Sequence, residues 1–132
     1  MSLSKWAGFV VTAALLSGCQ IKPQMEKTQL TKAELKTLFA GKTVESYSLS
    51  SGATSFTYYS PDGRARQVRF WEPRDGYWKV TDDNEICLSM EGKDFSCRPV
   101  FQEGDRYYKY RMDGDEWVRV IRYRQFIDGD RL

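Results

Sequence analysis

Glu85–Phe101 reads EICLSMEGKDFSCRPVF, two runs of β-forming residues on either side of a glycine. Ile86, Leu88 and Met90 fall at every second position, the period expected of a strand with one face in a core. Glu85–Met90 and Asp94–Phe101 are therefore expected to be the arms of a hairpin, with Glu91-Gly92-Lys93 as a three-residue turn. That register sets Cys87 directly opposite Cys97. Directly paired residues have Cα separations of about 4.5–5.5 Å, within the range a disulfide spans. The pair is read as a structural disulfide. Two free structural thiols or a redox pair are the alternatives, although redox sites more usually carry Cys-x-x-Cys. One face of the hairpin carries Phe95, Cys97 and Phe101; the other carries Ile86, Leu88, Met90 and Val100. Both being apolar, the hairpin must be covered on two sides or kinked. Pro99, which lacks an N–H, points to an edge or a bulge nearby.

The same pattern extends in both directions. Thr43–Leu49, Thr54–Ser60, Arg64–Trp71 and Gly76–Thr81 precede the hairpin, and Arg106–Met112 and Glu116–Ile127 follow it. Each run is rich in β-branched and aromatic residues and is closed by a turn cluster such as Pro61-Asp62-Gly63 or Asp113-Gly114. Turn signals recurring about every 8–12 residues indicate an all-β sandwich or barrel. The expected fold is all-β: an antiparallel meander of about eight strands, closed into a small lipocalin-like barrel that removes both sheet edges. WVRVIRYRQF in the last strand needs a bulge to bring Val118, Val120, Ile121 and Tyr123 to one side. One helix is expected over Thr31–Ala40. Thr31 and Glu34 form a capping box, Leu30 and Leu35 can staple it, and Gly41 stops it. At barely three turns it cannot stand alone, so Leu35, Leu38 and Phe39 are its docking residues.

The first 19 residues carry a different message. Lys5 precedes an apolar run of 11 residues, Trp6–Leu16, and then Leu16-Ser17-Gly18-Cys19. The run is too short to span a bilayer, which takes about 20 residues, and matches the layout of a secretory signal. Leu-Ser-Gly-Cys resembles the lipobox of bacterial lipoproteins. The resemblance implies diacylglyceryl transfer to the Cys19 thiol, cleavage before Cys19 and acylation of the new amino terminus. Residues 1–18 are then the signal peptide, 19–29 a polar tether containing Pro23, and 30–132 a single β-domain with its capping helix. A membrane is the implied partner, through lipid on Cys19. Gln20, where inner-membrane lipoproteins carry aspartate, points to the outer membrane of a bacterial envelope. In that compartment Cys87 and Cys97 meet oxidising conditions.

Cleavage before Cys19 takes 18 residues from 132 and leaves 114, one domain's worth. Lys5 leaves with them, so 19 of the 20 Lys and Arg face 18 Asp and Glu. With charges of both signs interspersed, nothing calls for nucleic acid. The chain contains no histidine, which excludes Ser-His-Asp and Cys-His nucleophile pairs and histidine metal sites. No metal or cofactor is expected. Asp82-Asp83 with Glu85, and Asp113-Gly114-Asp115-Glu116, lack calcium-loop spacing and read as turns.

Arginines and aromatics remain as contact candidates: Arg64, Arg66, Tyr58, Tyr59, Trp71, Tyr107 and Tyr108. Guanidinium groups recognise carboxylate, phosphate and sugar acids, and Tyr and Trp concentrate at interfaces. The plainer reading of the arginines, which is preferred, is a solvated strand face with cross-strand ion pairs. Leu-Thr-x-x-Glu-Leu-x-x-Leu-x-x-Gly-Lys-Thr-Val, Tyr-Tyr-Ser-Pro-Asp-Gly, Gly-Tyr-Trp-Lys-Val, Ile-Cys-Leu and Cys-Arg-Pro-Val resemble a family of small exported bacterial proteins of unknown function. Ser51-Gly52-Ala53 resembles the loop of membrane-bound lysozyme inhibitors, which carry it later in the chain. The expected function is non-catalytic: a lipid-anchored envelope protein that contacts a protein or envelope component through its aromatic and arginine surface. The alternatives are a lysozyme-type enzyme inhibitor and a carrier of a small apolar ligand.

Overall fold

A computed structural model describes residues 26–132. The expected signal peptide, the Cys19 anchor and most of the tether lie outside these residues. Nine strands and one helix follow: β1 Lys27–Gln29, α1 Lys32–Phe39, β2 Lys42–Ser48, β3 Thr54–Tyr59, β4 Arg64–Arg69, β5 Glu72–Val80, β6 Glu85–Met90, β7 Ser96–Glu103, β8 Arg106–Asp113 and β9 Glu116–Asp128. Strands β2 to β9 form an antiparallel meander that closes through β2–β9, so the eight make a barrel without a free edge.

The Cys87–Cys97 disulfide forms, with the two residues opposite each other in the β6–β7 register at a Cα separation of 4.0 Å. The turn around Gly92 is wider than a three-residue loop. Pairing ends at Leu88↔Ser96, so β7 begins at Ser96 rather than Asp94. Glu91 donates its N–H to Asp75 O on β5, and the Ser89 hydroxyl bonds Lys93 O, which holds the connection open. The face with Ile86, Leu88, Met90 and Val100 packs into the core, whereas Phe95 on the other face is exposed, and β7 changes partner along its length. Its first half pairs with β6 as far as Pro99, and from Phe101 the vacated side is taken by β1. Pro99 stands at this handover, where β6 has ended. The last residues of the expected tether are thus a strand, and Lys27 lies over the rings of Phe101 and Tyr110 at 4.8 and 4.5 Å.

Two further boundaries differ from expectation. β4 stops at Arg69 because Phe70 and Trp71 take φ of 50° and 66° and form a two-residue turn to Glu72. β5 starts at Glu72 rather than Gly76. Pro73 is accommodated because β6 joins only from Gly76, leaving this part of β5 unpaired on that side. The last strand carries two bulges, at Val120 against β8 and at Arg124 against β2. They bend it around the barrel and bring Ile121, Tyr123 and Phe126 to the inside.

The helix closes one end. Thr31 caps it through the reciprocal bonds of a capping box with Glu34, and Lys32 N–H donates to Asn84 Oδ1 at 2.8 Å on the β5–β6 turn. Two N–H groups that a helix start leaves without partners are thereby satisfied. Leu35 and Phe39 are fully buried, with Leu38 packed beside them. The Phe39 ring meets Tyr59, Tyr123 and Phe126 edge-on at centroid distances of 5.0, 5.1 and 5.4 Å, and Tyr59 meets Trp78 at 5.3 Å. Full burial of a side chain such as Phe39 contributes about 1.5–3 kcal/mol, and edge-to-face pairs add to it. Around this cluster lie Leu30, Val44, Ala65, Ile86 and Val100. The chain end is strapped to the same end of the barrel, where buried Thr43 donates to Gly129 O and accepts from Arg131 N–H.

Candidate functional site

The helix seals one end of the barrel; towards the other end the inner face changes character. Arg98 lies opposite Ile86, and Lys109 lies opposite Val100, so register puts both cations on the face that carries the core. Gln67 donates to the buried Thr57 hydroxyl at 3.1 Å, and Arg69 follows it two residues later on the same face of β4. A cavity of about 160 Å³ opens between β2, β3, β4 and β9, lined by Ser46, Ser48, Ala53, Ser55, Gln67, Arg69 and Ile121. It holds three hydroxyl side chains, an amide and a guanidinium, and no carboxylate.

These cations lack carboxylate partners, and the Arg69 guanidinium instead lies over the Phe70 ring at 5.0 Å. Among the described residues no carboxylate forms an ion pair with Arg69, Arg98 or Lys109. Glu72, opposite Arg69 in the register, is exposed. Burial pushes the Lys109 ammonium down to about 8, and the positive charge of Arg98 adds to the shift. Arg69 Nε is buried without a hydrogen-bond partner, as is the hydroxyl of Tyr123. Arg74, also at this end, is held by Glu91 at 3.7 Å.

The rim is apolar. Each of the four hairpin connections at this end exposes a large apolar side chain: Leu49 between β2 and β3, Phe70 and Trp71 between β4 and β5, Phe95 between β6 and β7, and Met112 and Trp117 at the β8–β9 hairpin. Trp71 is 95% exposed and Phe70 65%. Both are in left-handed backbone, which Asn and Gly tolerate and bulky side chains do not. Such residues cost of order 1–3 kcal/mol each. No family model matches the chain, and no curated protein matches it as a relative. The geometry of this end is therefore the ground on which a function must be argued.

The residues singled out in the sequence are scattered over the barrel. Trp71 stands on the rim. Tyr58, Arg64 and Arg66 lie on the outer wall, along a groove of about 620 Å³ with Asp62, Asp75 and Tyr77. Arg64 pairs there with Asp62 at 3.4 Å and Arg66 approaches Asp75 at 4.0 Å, the solvated ion pairs of a sheet face. Tyr59 is 1% exposed at the centre of the core, and its burial removes it as a contact residue. Tyr107 faces inward beside the helix, its ring 5.4 Å from Phe126. Tyr108 is buried on the outer wall beneath the Arg119 guanidinium, 4.3 Å from the ring centroid. Sequence reasoning missed Phe70, Arg98 and Lys109. Phe70 carried no turn signal, since Phe and Trp both favour strands.

The outer wall also carries a polar cluster that joins three strands. Glu103 on β7 accepts from Tyr110 on β8 at 2.7 Å and from Arg119 on β9 at 2.6 Å. Burial by itself would raise the Glu103 carboxyl, but the bonds from Arg119 and Tyr110 hold it below the usual carboxylate range. Its members satisfy one another, and the cluster ties β7, β8 and β9 together.

Proposed function

We propose that this chain is a lipid-anchored, non-catalytic binding protein of the bacterial cell envelope. It meets a protein or envelope component through the open end of its barrel. The observation that carries the reading is Phe70-Trp71. Two large aromatics occupy the turn positions where they are least comfortable, and both project into solvent. Strained backbone and exposed apolar surface each act against a free-standing barrel, and they coincide where a partner would contact them. Aromatic and arginine residues are the groups from which binding hot spots are most often built. The lipobox resemblance at Cys19 supports anchoring, and the oxidised Cys87–Cys97 pair is in keeping with an exported chain. The polar lining of the open half weighs against an apolar cargo.

A photo-crosslinking residue placed at position 71 or 117 of the lipidated protein in cells tests this, with position 36 on the exposed face of the helix as the control. The expected result is a discrete, saturable adduct from 71 and 117 and none from 36. Equal labelling from all three positions, or none from the two rim positions, would contradict the proposal. Intact-mass analysis of membrane-extracted protein tests the anchor: an unprocessed amino terminus would remove it.

A further inference from the structure

We infer that the open half of the barrel is a binding cup for an oxyanion, the carboxylate or phosphate of an envelope molecule, with Arg69 as its principal ligand. The cup is the cavity between β2, β3, β4 and β9. At about 160 Å³ it has room for a charged head group and falls below the 300–1,000 Å³ typical of sites that enclose a whole drug-sized molecule. An entire lipid does not fit, so an attached chain would leave by the mouth, past Phe70 and Trp71.

Three observations converge on a negative ligand. The first is chemical. The lining offers Arg69 and the hydroxyls of Ser46, Ser48 and Ser55, all able to donate to oxygen, with no carboxylate among them. Guanidinium is the side chain best matched to planar or tetrahedral oxyanions. The second is incomplete satisfaction. Arg69 Nε is buried with no partner. Tyr123, opposite Ser46 across β2–β9 and only 3% exposed, likewise carries a buried hydroxyl with no partner. Buried donors are ordinarily paired, and each one left unpaired costs about 1–3 kcal/mol. The third is electrostatic. Arg98 and Lys109 share the inner face of the barrel and form no ion pair with any described carboxylate. The depressed Lys109 ammonium shows that this environment already resists the positive charge it holds. An anion entering the cup would give the buried Arg69 Nε its missing partner and bring negative charge to an inner face that carries unpaired cations.

The inference deepens the binding reading and rests on it only for the choice of working end. Oxyanion binding by purified protein can succeed where crosslinking fails, and the reverse, so the two stand or fall separately. The test is isothermal titration of the full chain, in detergent, with four probes: inorganic phosphate, octyl phosphate, octanoate and octanol. Octyl phosphate and octanoate are expected to bind and octanol not to. Phosphate matching octyl phosphate identifies a free anion as the ligand; tighter octyl phosphate identifies an amphiphile whose chain reaches the rim. Arg69→Gln is expected to weaken anion binding at least tenfold. Arg69→Lys, which keeps the charge but loses the fork, is expected to recover part of that loss, and Ser55→Ala to cost a few-fold. Circular dichroism checks that each variant is folded. Should Arg69→Gln fail to fold, Arg69→Lys and Ser55→Ala carry the test. Failure of every anion to bind, equal binding of octanol and octanoate, or unchanged affinity in the folded variants would overturn the inference.

Discussion

The two ends of this barrel follow opposite rules. At the helix end Leu35 and Phe39 are fully buried and polar groups find partners: Thr31 with Glu34, Lys32 N–H with Asn84, Thr43 with the chain terminus. At the open end cations lack counter-charges, the buried Arg69 Nε lacks an acceptor, and aromatic rings stand in water on left-handed backbone. One chain builds both, so the difference is not one of folding competence. The sealed end shows what this sequence does when stability governs. The open end departs from that standard in several independent ways, and such departures mark functional surfaces.

The comparison breaks first if the helix end is not the stability centre. Phe39→Ala removes a fully buried ring that touches three others, and is expected to cost about 3–5 kcal/mol. Urea denaturation would read this as a fall in midpoint with little change in slope. Truncating the exposed Trp71 should not lower stability, and an equal loss at both sites would erase the distinction.

Reduction of Cys87–Cys97 comes next. The bridge closes a short loop, with a sequence separation of 10, and its loss is expected to cost about 2–3 kcal/mol. Because it clamps the hairpin that leads to Phe95, reduction should also loosen the open end more than the helix. Hydrogen exchange of β6 and β7 against that of α1 measures the difference.

Glu103 sharpens the comparison from the outer wall. Its carboxyl is held below the ordinary range, so it contributes stability at pH values above the unfolded value near 4.5. That contribution is lost as pH falls through the lower, folded value. Glu103→Gln is expected to cost about 2 kcal/mol near neutrality and to flatten part of the acid slope, read as unfolding free energy between pH 7 and 3. An unchanged slope would mean that the cluster does not couple to folding.

How much of this was legible in the sequence follows a physical line. Alternation and turn chemistry act locally, so the meander, the helix cap and the register of Cys87 against Cys97 could be read directly. Closure into a barrel also followed, because an open eight-stranded meander leaves edges. Local pattern does not say which side of a strand becomes the inside. The arginines chosen from sequence, Arg64 and Arg66, proved to lie on the outer wall beside Asp62 and Asp75. Those facing inward are Arg69, on the same strand, and Arg98, on β7. Neighbouring Tyr58 and Tyr59 must point to opposite faces of their strand, but which ring becomes core depends on strands far away in the chain. Phe70-Trp71 was read as the end of a strand because both residues favour β structure. Tertiary pairing of Arg69 with Glu72 overrode that preference and forced them into the turn.

The smallest expected effect is also the most direct test, because its sign is unusual. In Phe70→Asn/Trp71→Gly, two exposed aromatics are replaced by residues suited to the φ of 50° and 66° they occupy. If the rim is strained for the sake of contact, the urea midpoint of the double variant should rise, by about 1–2 kcal/mol of unfolding free energy. A midpoint that falls would show that these rings support the barrel itself, and would contradict the division of the molecule into a sealed, stable end and an open, working one.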